Sequence, residues 1–149
     1  MARDWIFLLM ALTAGVVAPV QAGVNAQLRL WVGHPAWAAL VNFTVGTLAL
    51  LAYYLALRLP WPDTAVLGRA PWWSWVGGML GAFYVLSAVV VAPRLGAAVL
   101  IALITAGQMI ASLVLDHFGL LGFEPHPINV WRVVGALFLL VGVVLIRRF

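Results

Sequence analysis

Pro19-Val20-Gln21-Ala22-Gly23-Val24-Asn25-Ala26-Gln27 ends the first long apolar run, and its reading decides the rest of the chain. A lipid-facing helix carries only hydrocarbon at this depth. Here a proline, a glycine and three amides stand in its place. Gln21 and Asn25 are four apart, so on a helix they share a face. Ala14 and Ala18 continue that face backward as a stripe of small and polar side chains. An amide in hydrocarbon costs about 2–7 kcal/mol unless something hydrogen-bonds it. The face must therefore meet protein, a polar ligand or a water-filled cavity.

Composition sets the class. Of 149 residues, 66% are hydrophobic and 8% charged, with a mean hydropathy of +1.12. Too little polar surface exists to cover a soluble domain, so the chain reads as an all-α integral membrane protein, polytopic and in contact with lipid. The absence of cysteine excludes a disulfide framework and a thiolate nucleophile. The pI near 10.8 comes from eight basic residues, all arginine and scattered singly. They form no basic face to track a phosphate backbone, which argues against nucleic acid, and they read as membrane-end anchors.

Five apolar runs follow, each near the twenty or so residues that cross about 30 Å of hydrocarbon. They fall at about 5–28, 37–57, 72–91, 95–115 and 130–146, making residues 1–149 one transmembrane domain. The separators are Gly33-His34-Pro35, Pro60-Trp61-Pro62-Asp63, Pro93-Arg94 and the polar loop from His117 to Asn129. Trp5, Trp31, Trp37, Trp61, Trp72, Trp73, Trp75 and Trp131 lie near the ends of these runs, as an interfacial belt requires. Arg3, an apolar core and Val20-Gln21-Ala22 before Gly23 also resemble a cleavable leader. Asp4 in the would-be basic region and the length of the run favour a retained helix.

If the runs alternate, one side of the membrane receives Arg3, Arg58, Arg69 and Arg132, the other Arg29, Arg94, Arg147 and Arg148. With this balance and no lysine, the positive-inside rule prefers neither orientation. A short chain can balance by chance; the sharper reading is dual topology, in which copies insert both ways and pair antiparallel, reproducing the inverted repeat that many transporters carry within one chain.

The fourth run holds a second polar stripe, Thr105, Gln108 and Ser112, followed by Asp116. Gln108 alone fits an interhelical hydrogen bond; joined to Gln21 and Asn25, it favours a site. The second run places Ala38, Asn42 and Gly46 at four-residue spacing, with Thr44 and Thr47 nearby. In the third, Gly77 and Gly81 form a GxxxG pair suited to close backbone approach, and Tyr84 can present its hydroxyl to a cavity. Ser87 follows a turn later. The fifth run, with Gly135 and Gly142, reads as a support helix.

Arg94 reads as an anchor that also suits the mouth of an anion-attracting cavity. Asp116 is the sole carboxylate continuous with an intramembrane polar stripe, hence the sole candidate for proton coupling; the simpler reading is a solvated helix end. Asp116, His117, Glu124 and His126 match no closed zinc spacing, so neither a metal site nor a cofactor is assigned. No serine, histidine and carboxylate lie together at membrane depth, which argues against an enzyme.

Four segments together resemble the DUF606 (YdcZ-like) family of the drug/metabolite transporter (DMT) superfamily. They are Gln21-Ala22-Gly23-Val24-Asn25-Ala26-Gln27-Leu28, Asn42-Phe43-Thr44-Val45-Gly46-Thr47, Gly77 through Val85, and Gly107-Gln108-Met109-Ile110-Ala111-Ser112. Asp116-His117-Phe118-Gly119 and the closing Gly135 helix extend the likeness over nearly the whole chain. The resemblance implies half of a ten-helix EamA-like inverted-repeat fold. Its first, third and fourth helices would line a central cavity, the second would gate it, and the fifth would lie outside. It implies that Gln21, Asn25, Tyr84, Gln108 and Ser112 face that cavity, with Asn42 a further candidate. Pro19, Gly23, Gly77 and Gly81 serve as hinge or packing positions. Small multidrug exporters of the superfamily carry an intramembrane glutamate on the first helix. This chain has none there, so a neutral or amphipathic solute suits it better than a cationic drug.

The expectation is a bacterial inner-membrane transporter of a small polar or amphipathic metabolite, working as an antiparallel homodimer by alternating access. The alternatives are a non-transporting scaffold or accessory subunit, and one half of a heterodimeric transporter.

Overall fold

The computed structural model describes residues 4–149; Arg3, counted in the charge balance, lies outside them. Those residues form helices α1 (Asp4–Val32), α2 (Pro35–Ala56), a short α3 (Thr64–Leu67), α4 (Val76–Leu95), α5 (Ala97–Phe118) and α6 (Val130–Arg148). A 3-10 turn over Trp72–Trp75 leads into α4, and another, Leu120–Gly122, follows α5. Five stretches are long and apolar enough to span a bilayer: Trp5–Val32, Pro35–Ala56, Trp72–Leu95, Ala97–Phe118 and Val130–Arg148. The chain is therefore an all-α membrane protein. Most large apolar side chains along these helices are exposed, as they must be where lipid replaces a core.

The helices overrun the expected ends because the polar residues there do not stop them; backbone geometry does. α1 continues through Arg29 to Val32 and ends at Gly33, whose positive φ of 80° is open to glycine without strain. Pro35 then sits in the first turn of α2, and His34 Nδ1 accepts from the Ala36 N–H at 3.2 Å. α5 likewise begins after Gly96 (φ 79°) and ends at Gly119 (φ 60°).

The chain divides into two compact units, Met1–Pro93 and Arg94–Phe149. In the first, α1 packs along α2. Ala38 and Val89, both 0% exposed, form a small core with Ala39 and Val85, against which Leu28, Val32 and Tyr84 pack. The GxxxG pair does not bring two backbones together here. A Cβ on Gly77 would meet nothing within 4 Å, and Gly81 instead faces the ring of Phe43, 3.6 Å from where its Cβ would be. The chain leaving α2 is held by the Tyr54 hydroxyl, which donates to the Pro60 carbonyl, and by the Trp61 ring 5.0 Å from that of Tyr54.

Pro93 has no N–H, so the Val89 carbonyl four residues earlier loses its helical partner. The half-buried Arg29 of α1 supplies one, with Nη1 3.4 Å from that oxygen. Arg29→Met is expected to lower apparent stability by about 1 kcal/mol, the worth of one such bond. Pro93→Ala in the same background restores an N–H and should recover part of the loss. Thermal unfolding in detergent checks this; equal losses with and without Pro93→Ala would contradict it.

In the second unit α5 and α6 pack together, and the loop between them folds back onto the end of α5. The His126 N–H donates to the Asp116 carbonyl at 2.7 Å, and the Ile128 N–H to His117 Nδ1 at 3.0 Å. Arg132 Nη1 donates to the His126 carbonyl at 3.0 Å and to Asp116 Oδ2 at 3.2 Å. Asn129 caps α6, its Oδ1 accepting from the Arg132 N–H at 3.0 Å. The loop residues from Leu120 to Asn129 are exposed, yet these bonds tie them to the end of α5. Gly119 allows the fold-back: a Cβ there would lie 2.9 Å from Pro125 Cγ. Gly119→Ala combines that clash with a left-handed backbone and is expected to cost about 2 kcal/mol. An unchanged melting temperature would show that Pro125 yields freely.

Candidate functional site

The first unit assembles its polar residues through helix register. Gln21 and Asn25 lie one turn apart on α1, and Asn42 comes to them from α2. Gln21 Nε2 donates to Asn42 Oδ1 at 3.3 Å, and Asn25 Nδ2 donates to the same oxygen at 3.2 Å. Asn25 is 5% exposed, Asn42 half-buried and Gln21 open. At about 1.5 Å per residue, Gln21, Asn25 and Asn42 stand roughly 4, 10 and 5 Å from the midpoints of their spans, within the hydrocarbon.

Beside the triad opens a cavity of ≈ 520 Å³. Gln21, Asn25, Asn42 and Thr47 provide its polar lining; Val24, Leu28, Val41, Phe43, Val45 and Leu50 provide apolar walls, and no charged residue lines it. The α2 helix, expected to act as a gate, thus carries both Asn42 and Thr47 into the lining. Tyr84 does not line this cavity. It is half-buried against the Ala38–Val89 core.

Pro19 sits inside an unbroken α1, where it leaves the Gly15 carbonyl without its helical N–H. Gly23, one turn on, has nothing within 4 Å of its would-be Cβ. Both lie on α1 within a turn of Gln21.

In the second unit, Ser112 lines a separate cavity of ≈ 470 Å³ with Met109, Asp116, Arg132, Gly135 and Leu139. Asp116 and Arg132, each 32% exposed, form an ion pair across it. Asp116 is therefore countercharged rather than free at a solvated end, and α6, read as plain support, supplies the countercharge. Gln108 lies about 1 Å from the midpoint of its span, is exposed, and makes no hydrogen bond among the described residues. Among those residues no group of three metal-ligating side chains gathers.

Three contributors escaped the sequence reading. Thr47 was seen only as a neighbour of the Asn42 stripe. Arg132 lies sixteen residues from Asp116, beyond any helical spacing; its one local signal is Asn129, whose cap fixes Arg132 in the first turn of α6. Arg29 was read only as an anchor, although Pro93 announces a carbonyl in need of a donor four residues earlier.

These features define an all-α integral membrane protein with an uncharged, hydrogen-bonding cavity at bilayer depth. The family described as "Putative inner membrane exporter, YdcZ" matches residues 6–145, and the chain belongs to it. The chain is 36% identical over 77 residues to "Inner membrane protein YdcZ" of Escherichia coli (strain K12), a stretch covering 52% of this chain and 51% of that relative. The match thus spans about half the length of the relative. No solved structure matches significantly. Membership places the chain in the bacterial inner membrane.

Proposed function

We propose that this protein is a half-size transporter of the drug/metabolite type, moving a small polar or amphipathic solute by alternating access as an antiparallel homodimer. The observation that carries this reading is the amide triad. Gln21, Asn25 and Asn42 meet at hydrocarbon depth beside a cavity large enough for a small solute. Substrate binds to the triad and to the Thr47 hydroxyl on the same cavity, and Gln108, exposed at mid-span on α5, is assigned to the substrate path on its own unit. Pro19 and Gly23 permit backbone adjustment as the cavity changes sides, while Gly81 packs against the Phe43 ring. The even division of arginines supports insertion in both orientations, and an antiparallel pair would supply the inverted repeat that one five-helix chain lacks.

The test is a thermal-shift screen of the detergent-purified protein against neutral and charged metabolites. A solute that binds the folded state raises its apparent stability with concentration. Stabilisation lost on substitution of the triad supports a transporter; a protein stabilised by nothing supports the scaffold reading.

Asp116 is proposed as the coupling residue if transport draws on the proton gradient. Asp116→Asn is expected to leave exchange of solute intact while removing its acceleration by a pH gradient, measured in proteoliposomes. Loss of folding without that split would assign Asp116 to the loop lock with Arg132 alone.

A further inference from the structure

The hydrogen-bonding groups left over in the cavity specify the chemistry of its occupant. Asn42 Oδ1 takes both internal bonds, so the Asn42 N–H groups donate to nothing, and the carbonyl oxygens of Gln21 and Asn25 accept from nothing among the described residues. Turning all three amides over preserves both bonds and exchanges the leftover groups. The triad therefore offers free donors and free acceptors side by side in either orientation. Thr47, whose hydroxyl makes no hydrogen bond among the described residues, adds one more of each on the same cavity. Asn25 is 5% exposed, and no buried side-chain nitrogen or oxygen among the described residues lacks a partner, so its unpartnered amide oxygen keeps accessible surface from which an occupant can reach it.

A cation head group supplies donors only, and would leave the free N–H groups unanswered. A carboxylate accepts only, and would leave the carbonyl oxygens unanswered. Neither finds a countercharge among the lining residues, so either would also be desolvated without compensation. A neutral group that donates and accepts across adjacent atoms answers both sets. The walls of Leu28, Phe43 and Leu50 suit an apolar body behind it.

Resting on the transporter reading above, we propose that the cavity selects an uncharged carboxamide-type head group (carboxamide, urea or lactam) attached to an apolar body. Asn42 is the residue that reads the head group. Substitution there separates the two halves of recognition. Asn42→Asp retains an acceptor for Gln21 and Asn25 but replaces the free donors with negative charge.

Three planar isosteres test this directly: benzamide, which donates and accepts; benzoate, which only accepts; and benzamidinium, which only donates. Binding to the detergent-purified full chain is measured by equilibrium dialysis. Benzamide is expected to bind at least about tenfold more tightly than either ion, the worth of one unanswered buried group. Asn42→Asp should shift the preference to benzamidinium, and Asn42→Leu should remove it. Tighter binding of benzoate or benzamidinium by the unmodified protein, lost in Asn42→Leu, would overturn the head-group proposal and leave a solute site in place. No binding of any of the three, with Asn42→Leu lowering only the melting temperature, would overturn both the head-group proposal and the transporter reading.

Discussion

Asn42→Leu is expected to cut solute transport by about tenfold to a hundredfold and to lower stability by about 1–3 kcal/mol. The leucine fills the same space but takes away the oxygen on which Gln21 and Asn25 converge. Both amide donors lose their acceptor; Asn25 is buried, and its unanswered N–H accounts for most of the stability loss. The transport loss comes from the missing solute contacts, each worth about 0.5–1.5 kcal/mol. Thr47→Val separates the two effects, since it removes a solute-facing hydroxyl from the cavity while leaving the shared acceptor, and hence the stability, in place. Melting in detergent and uptake into proteoliposomes measure them independently. A variant that melts early but transports at the original rate would make the triad helix glue.

Gln108→Ala should show the opposite pattern, with transport abolished and the monomer's stability unchanged. Gln108 stands at mid-span, exposed, with no bond to lose inside its unit. An unpartnered amide there costs several kcal/mol in lipid, so removing it cannot destabilise the isolated chain. On the transporter reading proposed above, its polarity belongs to the substrate path. Transport that survives the substitution, together with loss of the dimer on cross-linking, would place Gln108 at a subunit contact instead.

What could be read without the structure follows from local spacing. The spans, their number and the shared face of Gln21 and Asn25 rest on hydropathy and on a four-residue step, both properties of one helix. That Asn42 presents a single oxygen to both amides depends on the relative register of α1 and α2, which no spacing encodes. The Asp116–Arg132 pair depends on a loop reversal at Gly119, and its signal was a glycine whose need for a left-handed backbone cannot be seen in sequence. The GxxxG pair misled in the other direction. The motif marks where a neighbour can come close, and the neighbour at Gly81 is the ring of Phe43 rather than a backbone. Tyr84 was placed toward the cavity by its position on the third span, whereas the small side chains of Ala38 and Ala39 draw it into the core.

The measurement that bears most directly on the account is topology. The chain has no cysteine, so single cysteines placed after Phe149 and beside Glu124 can be labelled in intact cells with an impermeant reagent. The antiparallel homodimer predicts that each position labels in about half of the molecules, as equal insertion in both orientations requires. Labelling of all molecules at one position and none at the other would contradict it, and an oppositely oriented partner chain would then have to complete the transporter.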